Sequence, residues 1–203
     1  MNNIHAHDNS ELVEILSNID ITVPLRSEGR TKKHREQSSI CLWLSTIPNL
    51  EFPLTMAHQD KPDFYLKAGK SEYGIECTEA IPQDYAHATA ISEKNSNDTV
   101  IDMSLFEWGH KKAPKDIYEI ASHTKLTGPG WEGDNPEYKW AFAMSEIAKN
   151  KTILLQKQDF KKYSNNYLLI YDNLPRPYID FNKACSFLIL RVQSSQTVYR
   201  RKF

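Results

Sequence analysis

Apolar residues recur at helical spacing in several separate segments of this chain. Ser10 can cap a helix over 11–18, and Pro82 suits the first turn of a helix that ends near Lys94. A further helix is predicted from about Thr31 to Thr46, and a long one opens at Pro136 and ends near Lys157. The stripes that carry these predictions are Leu12, Ile15, Leu16 and Ile19; Ile40, Trp43, Leu44 and Ile47; and Trp140, Met144 and Ile147.

Other apolar segments alternate or run without interruption, as strands do. Residues 50–56 and both halves of 61–80 predict short strands, and Gly69–Lys70 predicts the tight turn of a hairpin. Tyr167–Tyr171 and Cys185–Val192 are continuous apolar runs, which are typical of strands buried on both faces. The order of elements therefore predicts an α/β fold with a mixed central β-sheet flanked by helices.

Length and composition limit the classes of protein that fit. The 203 residues are enough for one domain with a substantial core, and we expect a single domain over 1–203 with a loose N-terminal tail at about 1–9. The formal net charge is −1, so overall electrostatics do not indicate a polyanion partner. No apolar run suits a membrane span or a signal peptide, and three cysteines lie within apolar stretches, so we expect a cytoplasmic protein with reduced thiols.

The hairpin turn predicts which residues face each other across the two strands. A turn at 69–70 pairs Lys67 with Glu72, Tyr65 with Gly74, and Asp63 with Glu76. Two carboxylates directly opposite on one sheet face repel each other. A hard cation with oxygen ligands, above all Mg²⁺, would relieve that repulsion, and strand alternation places the Thr78 hydroxyl on the same face as Glu76. The alternative interpretation is a pair of acids on a solvent-exposed face.

Pro62-Asp63, followed by Glu76-Cys77-Thr78 on the next strand, resembles the motif of the PD-(D/E)xK nuclease superfamily. The resemblance implies a restriction-endonuclease-like fold in which Asp63 and Glu76 bind Mg²⁺, with Mn²⁺ as a substitute. Thr78 stands where the family usually has a lysine that positions or activates the attacking water. An active enzyme that supplies the charge from another residue and an inactive relative are the two alternatives that follow from this departure.

Two further residues extend the resemblance. The family often has a glutamate on the helix before the hairpin, and Glu36 is suitably placed; it either pairs with a nearby cation or reaches the metal through water. Lys151 interrupts the apolar stripe of the long helix, where it either extends its charged end to solvent at the core edge or supplies the cation missing at Thr78. We therefore take Asp63, Glu76, Thr78, Glu36 and Lys151 as the candidate catalytic residues.

Two polar segments carry alternatives of their own. The partly basic residues 24–34 are either a solvated linker or a set of phosphate contacts. Gly128–Gly133 formally matches GxGxxG, but Pro129 and the absence of a preceding strand argue against a dinucleotide-binding turn. A loop tipped by Trp131 fits better, as a lid or as a base-stacking contact.

Three functions follow from these observations. The first is a Mg²⁺-dependent nuclease or nucleic-acid-processing enzyme that cleaves phosphodiester bonds, with DNA as the expected partner. The second is an inactive member of the same fold that binds nucleic acid or protein. The third is an unrelated α/β domain, such as a small-molecule enzyme. No membrane partner is expected, and a homodimer stays open.

Overall fold

A computed structural model describes residues 3–95, 100–122, 127–174 and 176–200, with the backbone alone for 194–200. The chain forms two compact units. The sheet unit comprises Met1–Pro24, Gly29–Glu79 and Asn150–Tyr171, and the helical unit comprises Leu25–Glu28, Ala80–Lys149 and Asp172–Phe203. The prediction of one domain stays a prediction.

Among the described residues, five strands form one sheet in the order β1-β2-β3-β4-β5. Neighbours among the first four strands pair antiparallel. The fifth strand runs parallel to β4, as two hydrogen bonds indicate. At the start of both strands the Asn165 side chain donates to the Glu72 carbonyl, and at their ends the Asn173 amide donates to the Ala80 carbonyl. The predicted α/β class with a mixed sheet flanked by helices is confirmed. The strands are β1 Ile4–Ala6, β2 Leu54–His58, β3 Phe64–Ala68, β4 Ser71–Ala80 and β5 Asn165–Asp172.

Six helices complete the described part of the chain, with short 3-10 turns at Arg26–Glu28 and Met103–Leu105. In the first helix Asp8, rather than the predicted Ser10, is the N-cap and accepts from the Glu11 amide. The second is capped by Thr31, whose hydroxyl accepts from the His34 amide. The helices are α1 Asn9–Ser17, α2 Lys32–Thr46, α3 Gln83–Lys94, α4 Pro114–Ser122, α5 Asn135–Leu155 and α6 Phe181–Arg200.

The hairpin of β3 and β4 has the predicted register. Tyr65 pairs with Gly74, Lys67 with Glu72 and Ala68 with Ser71, which leaves Gly69–Lys70 as a two-residue turn. Gly69 has a φ of 56°, a conformation that side chains disfavour. A side chain at Gly74 would meet Tyr163 Cδ2 at 2.7 Å, so this strand passes too close to its neighbours for anything but glycine.

The core of the sheet unit lies between one face of the sheet and helices α1 and α2. Alternate residues of the strands point into it, as a half-buried sheet requires. The helices contribute the residues predicted from their spacing except Ile47, which is the C-cap of α2 and lies outside this core. Central members of this core are Leu12, Ile40, Leu44, Met56, Phe64, Leu66 and Ile75.

The helical unit has a smaller core of its own. Ala88 of α3 and Ile117 and Ala121 of α4 are buried in it, and Phe106 packs edge-on against Tyr85 at 5.5 Å between ring centres. These contacts hold the loop around 103–106 against α3 and α4. Within the described residues no helix has the length and apolarity needed to cross a membrane.

Three predictions about single segments are wrong. Cys185–Val192 is part of helix α6, not a strand, because the short apolar run is equally compatible with a helix. Ile4–Ala6 of the supposedly loose tail forms β1, since pairing with β2 buries Ile4 and Ala6. Strand β5 is an edge strand and is only half-buried, so it is not covered on both faces.

Candidate functional site

The Asp63 side chain is almost completely buried at the start of the hairpin. Its exposure is 1%, and its Oδ2 atom accepts a hydrogen bond of 2.7 Å from the backbone N–H of Cys77 on the facing strand. The hairpin register thus places Asp63 beside the residue that follows Glu76. A carboxylate buried this deeply needs a positive partner.

Lys32, in the first turn of α2, supplies that partner. Its Nζ atom donates to Asp63 Oδ1 at 2.7 Å and lies 2.8 Å from Oε1 of Glu36, one helical turn further along. The Glu36 side chain is also buried, and its Oε2 atom lies 3.2 Å from Nε2 of His58. One ammonium group therefore bridges two buried carboxylates.

The bridge has an uneven geometry. The contact of Lys32 with Asp63 is an aligned hydrogen bond, whereas its 2.8 Å contact with Glu36 Oε1 is an ion pair of poorer alignment. Burial works to lower the pKa of Lys32, but its contacts with Asp63 and Glu36 outweigh this effect and raise the pKa above its ordinary value. Lys32 therefore stays protonated at neutral pH.

Glu76 is neutralised by a different lysine. Lys151, near the end of α5, donates to Glu76 Oε1 at 2.7 Å, and both side chains are mostly buried. Three residues further along β4, Glu79 is buried between the guanidinium groups of Arg30, at 2.8 Å, and Arg35. Glu76 and Glu79 thus each have a basic partner.

A cavity of about 160 Å³ lies between the two lysines, and both Lys32 and Lys151 line it. The charges of Asp63, Glu36 and Glu76 all act on the Cys77 thiol, whose pKa is raised first by burial and then by these carboxylates. The cavity is lined by Lys32, Arg35, Glu36, Ser39, Cys77, Thr78, Glu79, Lys151 and Tyr171.

The structure brings the predicted site residues to one place. Glu36, Thr78 and Lys151 line the cavity, and the carboxylates of Asp63 and Glu76 adjoin it through their partners Lys32 and Lys151. We expected one cation between Asp63 and Glu76. In the structure each carboxylate contacts its own lysine instead, Asp63 with Lys32 and Glu76 with Lys151. The metal itself stays a prediction.

Sequence reasoning missed the most central cation of the site. Lys32 lies in the segment 24–34, which we interpreted as a linker or a set of phosphate contacts, and its spacing of four from Glu36 was the available signal. His58 and the Arg30–Glu79–Arg35 cluster were also missed. These contacts join residues distant in sequence, which no local pattern indicates.

The donor set is compatible with a magnesium site that has few protein ligands. In the described ranges, no three His, Cys, Asp or Glu side chains converge as a preformed metal cluster. Mg²⁺, however, is usually held by one or two carboxylates together with waters and substrate phosphates. Asp63 and Glu36 are two such carboxylates, and the Lys32 ammonium group between them occupies the place that a divalent ion could take. The residues present therefore fit Mg²⁺.

Comparison with known proteins does not identify a family for this chain. No protein-family model, no curated protein and no solved structure matches it significantly.

Proposed function

We propose that this protein is a Mg²⁺-dependent nuclease with a restriction-endonuclease-like arrangement of its sheet unit, and that its substrate is DNA. The observation that carries this proposal is the position of Lys32, whose ammonium group joins the buried carboxylates of Asp63 and Glu36. A site that holds one cation between two buried acids is chemically suited to hold another. The Glu76–Lys151 pair beside it supplies a third acid and a second lysine.

Asp63 and Glu76 are the proposed metal ligands, and Glu36 is a third carboxylate that can bind the ion directly or through water. When bound, Mg²⁺ would supply charge to polarise the phosphate and to lower the pKa of a coordinated water. The Cys77 amide fixes the Asp63 carboxylate by its 2.7 Å hydrogen bond, so Asp63 is oriented before any ligand arrives.

The two lysines have separate roles in this proposal. Lys151 is held against Glu76 and stands in for the lysine that Thr78 replaces, so that its charge stabilises the negative phosphate in the transition state. Lys32 is 62% exposed although its ammonium end contacts buried acids, so it can turn outward to a phosphate oxygen when a metal takes its place. Thr78 offers a hydroxyl at the cavity wall.

A second function is favoured by the same contacts. Because Lys32 and Lys151 already neutralise the acids, the site is stable without a metal ion, as expected of an inactive relative that only binds nucleic acid or protein. A binding module of this kind would retain DNA with a salt-dependent affinity and would not cut it.

A cleavage assay distinguishes the two functions. Supercoiled plasmid and a labelled single strand are incubated with the protein in Mg²⁺, in Mn²⁺ and in EDTA. We expect metal-dependent cleavage that falls by about a hundredfold or more in Asp63→Asn and Glu76→Gln, the scale on which loss of a charge-stabilising group acts. Asp60→Asn, an exposed aspartate three residues from Asp63, is the matched control and should retain full activity.

Two outcomes would contradict the nuclease proposal. Cleavage that persists unchanged in both carboxylate variants would indicate a contaminant or a different site. Wild-type protein that shifts DNA in a gel, yet cuts nothing with either metal, would establish the binding module in its place.

A further inference from the structure

The helical unit contains a pocket of about 290 Å³ that is rich in aromatic side chains. Three of the four tryptophans of the chain line it, namely Trp108, Trp131 and Trp140, together with Phe106 and Phe142. Its volume is near the lower end of the roughly 300–1,000 Å³ that is usual for ligand pockets. The pocket thus suits one small ring system better than a large ligand.

Charged groups at the same pocket indicate which charge a bound ligand would carry. Lys139, Arg176 and Glu107 line it, and Asp172, which is not a lining residue, forms an ion pair with Arg176. The Lys139 Nζ atom lies 5.2 Å from the centre of the Trp131 ring and 3.9 Å from Glu107 Oε1, and this long ion pair with an exposed glutamate leaves Lys139 able to turn to a phosphate. Aromatic pockets can also bind quaternary ammonium groups, but here the two charged groups best placed to meet a ligand are cations, which favours an anionic one.

Hydrogen-bonding groups are available for the edge of a planar ligand and for an anion. Asn135 is one of the lining residues, and its side-chain amide has both a donor and an acceptor. The guanidinium of Arg176 is held by an ion pair with Asp172, and its buried Nε atom has no hydrogen-bond partner among the described residues. Asp172 also accepts from the Trp140 indole N–H at 2.8 Å, which fixes that ring.

We propose that this pocket binds a nucleobase that carries a phosphate, stacked on Trp131 and its aromatic neighbours, with Lys139 and Arg176 towards the phosphate. Bases of every type stack on aromatic side chains, and phosphates favour lysine and arginine. The ligand is either a free mononucleotide or one unpaired base of a strand. The proposal goes beyond the nuclease function, since it concerns a different pocket and does not require hydrolysis.

Tryptophan fluorescence is a direct measurement of this binding, because three of the four indoles lie at the pocket. Wild-type protein in EDTA is titrated with deoxyadenosine 5′-monophosphate, with deoxyribose 5′-phosphate, and with a short single strand that has either normal or abasic sites. We expect saturable quenching by the mononucleotide and by the normal strand, and none by the two ligands without bases. Much tighter binding of the normal strand than of the mononucleotide assigns the site to nucleic acid, and similar affinities assign it to free nucleotides.

Two variants test the residues that carry the proposal. Trp131→Leu should weaken mononucleotide binding by about tenfold, the scale of one base–aromatic stacking contact. Lys139→Gln leaves the rings in place and should weaken binding of the mononucleotide more than binding of the unphosphorylated nucleoside. Tyr118→Leu and Lys115→Gln, both exposed on α4, are the controls, and circular dichroism checks that each variant is folded.

The proposal is overturned if deoxyadenosine 5′-monophosphate gives no saturable quenching up to millimolar concentration, or if the base-free phosphate quenches equally. It is also overturned if Trp131→Leu, folded, binds as the wild type does. Cleavage is measured on the same preparation with Mg²⁺. Retained cleavage with no nucleotide binding rejects this pocket alone, and nucleotide binding with no cleavage rejects the nuclease function alone.

Discussion

The Nζ atom of Lys32 lies 2.7 Å from Oδ1 of Asp63, although the two residues are 31 positions apart in the chain. Glu36 completes the contact at 2.8 Å from the same ammonium group. A lysine that is mostly exposed thus stabilises two acids that are almost fully buried. Because removal of one member of such a cluster leaves uncompensated buried charge, this contact gives the clearest tests of the site.

Replacement of Lys32 by methionine should make the stability of the fold depend on divalent ions. The variant leaves Asp63 and Glu36 without their shared cation, and we expect a loss of about 1–3 kcal/mol in the free energy of unfolding, the range for a buried polar group left unpaired. Mg²⁺ or Ca²⁺ should restore it, since an ion at a hundred times its dissociation constant stabilises by about 2.7 kcal/mol. Thermal unfolding with and without the ions measures both effects.

Lys33→Met is the matched control for this experiment, because Lys33 is exposed at the next position of α2. It should unfold as the wild type does at every ion concentration. A Lys32→Met protein whose melting temperature is unaffected by divalent ions would contradict the idea that Asp63 and Glu36 can hold a metal.

Lys151 should matter for both cleavage and stability. Its ion pair with Glu76 is mostly buried, so Lys151→Met leaves that carboxylate without its cation and should cost about 1–3 kcal/mol of unfolding free energy. If its charge acts on the scissile phosphate, the rate should fall by about a hundredfold or more. Lys149→Met, two residues earlier and exposed, should change neither quantity. A Lys151→Met enzyme with full activity would remove this residue from the site.

The parts of the site that sequence reasoning identified depend on local order. The loop at Gly69–Lys70 is two residues long, and this length determines which residues of the two strands face each other. Tyr65 opposite Gly74 is one of the pairs that follow from it. Lys151 was identified because its charge interrupts the apolar stripe of one helix. Glu36 was identified from its position on the helix before the hairpin, where the resemblance expects a glutamate.

The misassigned parts depend on information that a single segment does not contain. Cys185–Val192 is apolar almost throughout, yet in α6 the partly buried Phe187, Leu188 and Arg191 follow helical spacing, while Ile189 and Leu190 are exposed. The apolar run was interpreted as a buried strand because its exposed face is also hydrophobic. The Lys32–Asp63 contact was missed because it requires the packing of α2 against the hairpin, which neither segment encodes alone.

The three thiols should differ sharply in reactivity. Cys41 and Cys77 are buried, and burial raises the pKa of both thiols, with the nearby carboxylates adding to the effect at Cys77. Cys185 is exposed on α6. A colorimetric thiol assay at pH 8 should therefore count one fast thiol in the native protein and three in denaturant. Cys185→Ser should abolish the fast phase; a fast phase that persists would contradict the burial of the other two.

Tyr65 should ionise late in an alkaline titration. Its hydroxyl donates to Glu72 at 2.7 Å, and this hydrogen bond, with smaller effects of burial and charge, raises the pKa of the phenol from about 10 to about 12. Because the pKa in the folded state lies above that in the unfolded chain, the contact contributes its full stabilisation below pH 10. That contribution is lost as the pH rises towards 12. The difference in ultraviolet absorbance between wild type and Tyr65→Phe isolates this one phenol. Glu72→Gln should shift its titration back towards pH 10, and an unshifted curve would show that the carboxylate is not the cause.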